Sequence, residues 1–151
     1  EARDGLPADF DALHIGTVGI VVEPTASALE GVAEAAAAQH LIVLDPNCRP
    51  AIVTDYRAYR DRVIRLMRIA DLVKVSAEDV SYLFPEGGFE QLVAELTAQG
   101  KVVLHTDGAG PIAVCSPQGP GVVRPPTGGI VDTVGAGDIF GATVVWALTQ
   151  R

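Results

Sequence analysis

Residues 132–138 read DTVGAGD, and their types and spacing suit chemistry on an anion. Gly135, Ala136 and Gly137 carry little or no side chain, so a ligand can reach their backbone N–H groups. Where such residues open a helix, those N–H groups sit at its positive end and form an anion site. Asp138 is the anomaly. A carboxylate beside an anion site repels phosphate unless it has a task of its own, and the natural task is to accept a proton from a hydroxyl nucleophile. The same residues also suit a plain tight start to a helix, with Asp138 a first-turn acid complementing the dipole, and both readings stay open. Two other anion motifs are excluded. GxxxxGK[ST] is absent, and GxGxxG fails because Phe140 stands at the third glycine and Gly141 comes one position late.

Three further polar clusters each follow a strand-like apolar run: Asp45, Asn47 and Arg49; Ser76, Glu78 and Asp79; Thr106, Asp107 and Gly108. Ligands of open parallel sheets bind outside the carboxyl ends of the strands, which makes all three candidate site loops. Each also has a structural reading. Asp45 and Asn47 suit a turn with Arg49 pairing locally, and Ser76 with Asp79 suits a capping box. Lys74 is placed either to meet phosphate or to be solvated at a strand end. His14, His40 and His105 lack metal-ligand spacing and read as structural or surface residues. Cys48 and Cys115 lack CxxC spacing and read as buried thiols of a reducing compartment.

The elements that must position these residues follow from hydrophobic period. Residues 13–22 read as a strand, and Ser27 with Glu30 forms a capping box for a helix to about Gln39, with Leu29, Val32, Ala33 and Ala36 on one helical face. Residues 40–45 form an apolar run of strand length, as in a strand covered on both faces. Thr54 or Asp55 caps the next helix, in which Tyr56, Tyr59, Val63, Leu66, Met67 and Ala70 keep a helical period. Residues 71–76 give a strand, a short helix runs to about Leu83, and a helix over 89–99 closes at Gly100. Residues 101–106 give another strand. A hairpin lies between Pro111 and Pro126 with its turn at 117–120, and the last helix starts near Ala136 with Phe140, Val144 and Leu148 on one face. This order predicts an α/β protein with a mostly parallel sheet flanked by helices.

Composition narrows the partners. Asp and Glu number 19 against 11 Lys and Arg, a net charge of −8, which argues against nucleic acid. At 151 residues and 48% apolar, the chain can bury a core. No apolar run approaches the ~18 residues of a membrane span, and residues 1–10 have no signal-peptide core, so a cytoplasmic location without membrane contact is expected. The last helix is still apolar where the sequence stops, as in a piece of something longer.

Residues 132–140, DTVGAGDIF, resemble the second signature of the PfkB (ribokinase-like) carbohydrate kinases, DTxGAGDxF, at every specified position. Residues 45–50, DPNCRP, resemble the family's DPNxR segment, and 70–79, ADLVKVSAED, its KxSxxE/D segment, in the family order and with a fructokinase-like flavour. The resemblance implies a ribokinase-like fold and ATP-dependent phosphorylation of a sugar hydroxyl, with fructose the expected sugar. It implies Asp138 as general base and the amides of Gly135, Ala136 and Gly137 as the anion hole for the γ-phosphoryl group. Thr106, Gly108, Ser76 and Asn47 fall on the nucleotide side. Asp79 or Glu78 would order Mg²⁺ through water, and Asp132 with the Val134 carbonyl would hold a monovalent cation, K⁺.

Two departures bear on these roles. The family's NxxE motif reads SAED at 76–79, and Pro111 stands where a glycine is frequent. The resemblance further implies that residues 1–151 form the C-terminal part of a single kinase domain, lacking the N-terminal sugar-binding half and the extreme C-terminus. On that basis the chain alone is expected to be inactive and to expose an apolar edge or face, and the whole enzyme to be open to homodimer formation. The competing readings are a kinase of another sugar or nucleoside, a non-catalytic nucleotide-binding or interaction module, and, third, a dehydrogenase.

Overall fold

A computed structural model describes residue 7, residues 9–126 and residues 135–150. Six strands form one sheet in sequential order: β1 (Ala12–Gly16), β2 (Leu41–Asp45), β3 (Leu72–Ser76), β4 (Val102–Thr106), β5 (Ile112–Ser116) and β6 (Gly119–Val123). The first four are mutually parallel, and β5 and β6 add an antiparallel hairpin to β4. Helices α1 (Thr25–Ala36), α2 (Tyr56–Ile69), α3 (Ala77–Leu83) and α4 (Phe89–Ala98) lie in the crossovers, and α5 (Ala136–Thr149) follows the hairpin.

Strand alternation divides the interior in two. Ile42, Leu44, Val73, Val75 and Val103 point into the main core with Ala33, Val63, Leu66, Met67, Leu92 and Leu96 of the crossover helices. Val43, Leu72 and Leu104 point to the other face, against Phe140, Val144, Val145 and Leu148 of α5. The central strands are therefore covered on both faces, which is why they read as unbroken apolar runs. Beside α5 the second face opens into an apolar groove of about 420 Å³, lined by residues including Leu41, Val102, Ile112 and Val114. On α5 itself, Ile139 (70% exposed) and Trp146 (64%) face outward. Among the described residues, no helix is long and apolar enough to cross a membrane.

Local signals set most boundaries. Asp55 caps α2 by accepting the Ala58 N–H at 2.9 Å. At the end of α4, Gly100 takes φ +90°, its N–H donating to Thr97 O and that of Lys101 to Leu96 O, which is a Schellman closure. Three expectations are corrected. β1 stops at Gly16 and does not run to Val22; Thr17, at φ +54°, donates its N–H to Pro46 O, and residues 17–20 coil into a 3₁₀ turn that buries Ile20. α1 begins at Thr25, with no capping box at Ser27, and ends at Ala36. Pro24 precedes its first turn and the Glu23 carboxylate accepts the Ser27 N–H, so the cap comes from upstream. In the hairpin, Pro117 and Gln118 alone make the turn. Gly119 and Pro120 already pair with Ser116 and Cys115, and β6 lies at the edge of the sheet, where proline is tolerated.

Candidate active site

The carboxyl ends of β1 to β4 and the first turn of α5 meet on one side of the sheet. Gly16 packs on β2 so closely that a Cβ there would lie 1.7 Å from the Asp45 carbonyl oxygen. The next layer is Asp45 with Lys74. Lys74 Nζ donates to Asp45 Oδ2 at 2.9 Å, and both residues are buried, at 5% and 8% exposure. Burial pushes the Asp45 carboxyl up, against the opposing pull of Lys74. Its Oδ1 is buried with no partner among the described residues.

Above this pair stands α5. Gly135 adopts φ +77° at its N-cap, a left-handed conformation that favours glycine, and Ile139 donates its N–H back to Gly135 O at 2.9 Å. The N–H groups of Ala136, Gly137 and Asp138 precede that bond and have no acceptor within the helix. All three residues are exposed, so the Asp138 carboxylate stands in the first turn beside open N–H donors. A Cβ on Gly137 would lie 3.6 Å from Lys74 Nζ, and one on Gly141 3.2 Å from His14 Cε1. Glycine at 141 thus lets α5 sit down on β1.

The Ser76 and Asp79 cluster forms the capping box that opens α3. The Ser76 hydroxyl accepts the Asp79 N–H, while Asp79 Oδ2 accepts both the Ser76 N–H and its hydroxyl proton. Asp79 Oδ1 accepts the Cys48 N–H at 2.7 Å, so both oxygens of this buried carboxylate (3% exposed) are engaged by protein donors. Glu78, beside it, is exposed. After β2, Asn47 takes φ +40°, and Arg49 donates to the Asn47 carbonyl, the Asn47 Oδ1 and the Cys48 carbonyl. This is the local pairing that one reading of the loop expects. Cys48 Sγ accepts the Tyr59 hydroxyl proton at 3.3 Å, and burial pushes the thiol up to about 12.

At the end of β4 the Thr106 hydroxyl donates to Val75 O at 3.4 Å, and Gly108 beyond it is left-handed at φ +49°. Asp132 and Val134 lie outside the described residues. Among the described residues no cluster of three acidic, His or Cys side chains is placed to hold a metal ion. His105 packs its ring edge-on to Phe89, and His40 stacks on Phe10. The buried Asp45–Lys74 pair is the feature that sequence reasoning missed. A signal existed: strand alternation puts Asp45 on the face of Val43 and Lys74 on the face of Leu72, which is one and the same face under α5.

The fold and this site define an α/β protein in which a glycine-opened helix start carries an exposed carboxylate at the carboxyl ends of parallel strands. The chain belongs to the pfkB family of carbohydrate kinases, which matches residues 3–151. It is 33% identical over 141 residues to a fructokinase of Rhizobium leguminosarum bv. trifolii, covering 93% of this chain and 43% of that protein. Its fold matches the crystal structure of a fructokinase from Vibrio cholerae O395 in a fructose, ADP and calcium bound form, with a TM-score of 0.85 and 24% identity over 100% of this chain and 50% of that one. A double-mutant form of a fructokinase from the same organism, with fructose, ADP and potassium, gives a TM-score of 0.83 at 22% identity over 99% and 49% of the two chains. The architecture is thus ribokinase-like, and the chain spans about half the length of the relatives it matches.

Proposed function

We propose that residues 1–151 are the C-terminal part of an ATP-dependent sugar kinase, acting on fructose, and supply its nucleotide side and its general base. The observation that carries this reading is the exposed Asp138 carboxylate in the first turn of α5, directly after the open N–H groups of Ala136 and Gly137. The sugar hydroxyl oxygen attacks the γ-phosphorus, the bond to the ADP oxygen breaks, and the hydroxyl proton passes to Asp138. The amides of Gly135, Ala136 and Gly137 face the charge that spreads over the transferring phosphoryl oxygens. Thr106, Gly108, Ser76 and Asn47 border the nucleotide.

Mg²⁺, when bound, would supply charge neutralisation at the nucleotide phosphates, and the side chain assigned to its water shell is Glu78, which is exposed. Asp79 suits that role less, since both of its oxygens already accept protein hydrogen bonds. Asp132 and the Val134 carbonyl are assigned to K⁺, an assignment supported by likeness to the potassium-bound fructokinase. Sugar-dependent ADP release by the full-length protein, measured across fructose, glucose, ribose and a nucleoside, tests the reading. Turnover fastest on fructose is expected. ATP binding without turnover on any of them would favour a binding module.

A further inference from the structure

The Asp45–Lys74 pair has no part in the mechanism above, and stability is a poor account of it. Two charges taken out of water are repaid by their attraction only when the remaining lone pairs are also satisfied, and Asp45 Oδ1 has no partner among the described residues. A pair of well-packed apolar side chains would stabilise this layer at least as well.

The location of the ammonium is more informative. Lys74 reaches up from β3 to the first turn of α5, so that a Cβ on Gly137 would be 3.6 Å from Nζ. Gly137 adjoins Asp138. The helix start is already positive, and the cation set against it is offset from the strand side by the Asp45 carboxylate. On the other side the buried ammonium backs the open N–H groups of the first turn, so its field adds to theirs on an anion bound there.

Resting on the kinase reading, we propose that Lys74 is a positioning residue for phosphoryl transfer: held by Asp45, its ammonium supports the first turn of α5 at Gly137 and keeps a fixed positive charge behind the N–H groups that face the phosphoryl group. Asp45 acts as its holder, fixing Nζ on one side of the layer.

The test uses the full-length protein. Lys74→Met alone strands the Asp45 carboxylate, so Lys74→Met/Asp45→Asn, which removes both charges at similar volume, is measured beside Lys74→Gln, which keeps a hydrogen-bond donor to Asp45. The readouts are kcat, KM for sugar and for ATP, and the melting temperature. The expected result is a kcat lowered at least about tenfold in either variant that folds, with sugar KM within about twofold of wild type. A merely structural pair predicts the opposite split, a shifted melting temperature with kcat held, and a folded variant with kcat within about twofold overturns the proposal. Wild-type protein with no sugar-dependent turnover overturns the kinase reading and this inference together. Wild-type turnover matched by the variants overturns this inference alone.

Discussion

Asp79 illustrates how a side chain with the right type and place for one role is committed to another. Its carboxylate accepts the Ser76 N–H and hydroxyl protons and the Cys48 N–H, tying the start of α3 to the loop after β2. Half of this was legible, because a capping box is a local pattern with its partners three residues apart. The other half was not, because the bond to Cys48 spans 31 residues of chain and depends on β2 and β3 lying side by side. Asp79→Ala removes the cap and leaves the Cys48 N–H without its acceptor. It is expected to lower unfolding free energy by about 2–4 kcal/mol in urea titrations, whereas a carboxylate whose role is Mg²⁺ alone would leave stability within about 0.5 kcal/mol. The residues that open α5 were readable for a different reason. Gly135, Ala136 and Gly137 are defined by what they lack, and the left-handed Gly135 opening α5 realises the backbone that such a run favours.

At the scale of elements, periodicity and caps located the central strands and α2, α3 and α4, all of which are set by contiguous residues. The misplaced boundaries are those set from a distance. β1 ends where Thr17 bonds Pro46, and α1 begins where Glu23 and Pro24 form its start, neither of which is visible in the apolar pattern of residues 13–36. α1 and α2 are joined by Glu30, whose carboxylate accepts from Arg65 Nε at 2.6 Å and Arg62 Nε at 3.2 Å. The hydrogen bond from Arg65, helped by that from Arg62, holds the Glu30 carboxyl below the usual carboxylate range despite its partial burial. Its folded-state pKa is depressed, so its stabilising contribution is complete above the unfolded value near 4.5 and is lost as pH falls through the folded value. Glu30→Gln is expected to cost about 0.5–1 kcal/mol at pH 7, modest because the pair is partly solvated. Between pH 5 and pH 3, denaturant midpoints of wild type should fall more steeply than those of Glu30→Gln; parallel curves would remove the linkage.

For the molecule as a whole, membership of the pfkB family and the ribokinase-like fold agree with the reading made from DTVGAGDIF, DPNCRP and KVSAED. The chain spans about half the length of the relatives it matches, and none of its residues other than Asp138 reads as a sugar contact. A 151-residue polypeptide assayed by itself is expected to release no sugar-dependent ADP above background, because half of the matched fold cannot hold a hydroxyl in line with the γ-phosphate. Turnover at an ordinary enzyme rate would show that these residues hold the sugar unaided. The central claim is that Asp138 takes the proton of the attacking hydroxyl, and its most direct test is kcat and ATP Kd for full-length wild type and Asp138→Asn. Asparagine keeps size and hydrogen bonding but cannot accept the proton, so kcat should fall about 10²–10⁴-fold, roughly 3–5 kcal/mol in the barrier. ATP affinity should hold or rise as repulsion of the phosphates is relieved. An unchanged kcat, with stability lowered by about 0.3–1 kcal/mol as for a first-turn acid removed from a helix dipole, would contradict the assignment.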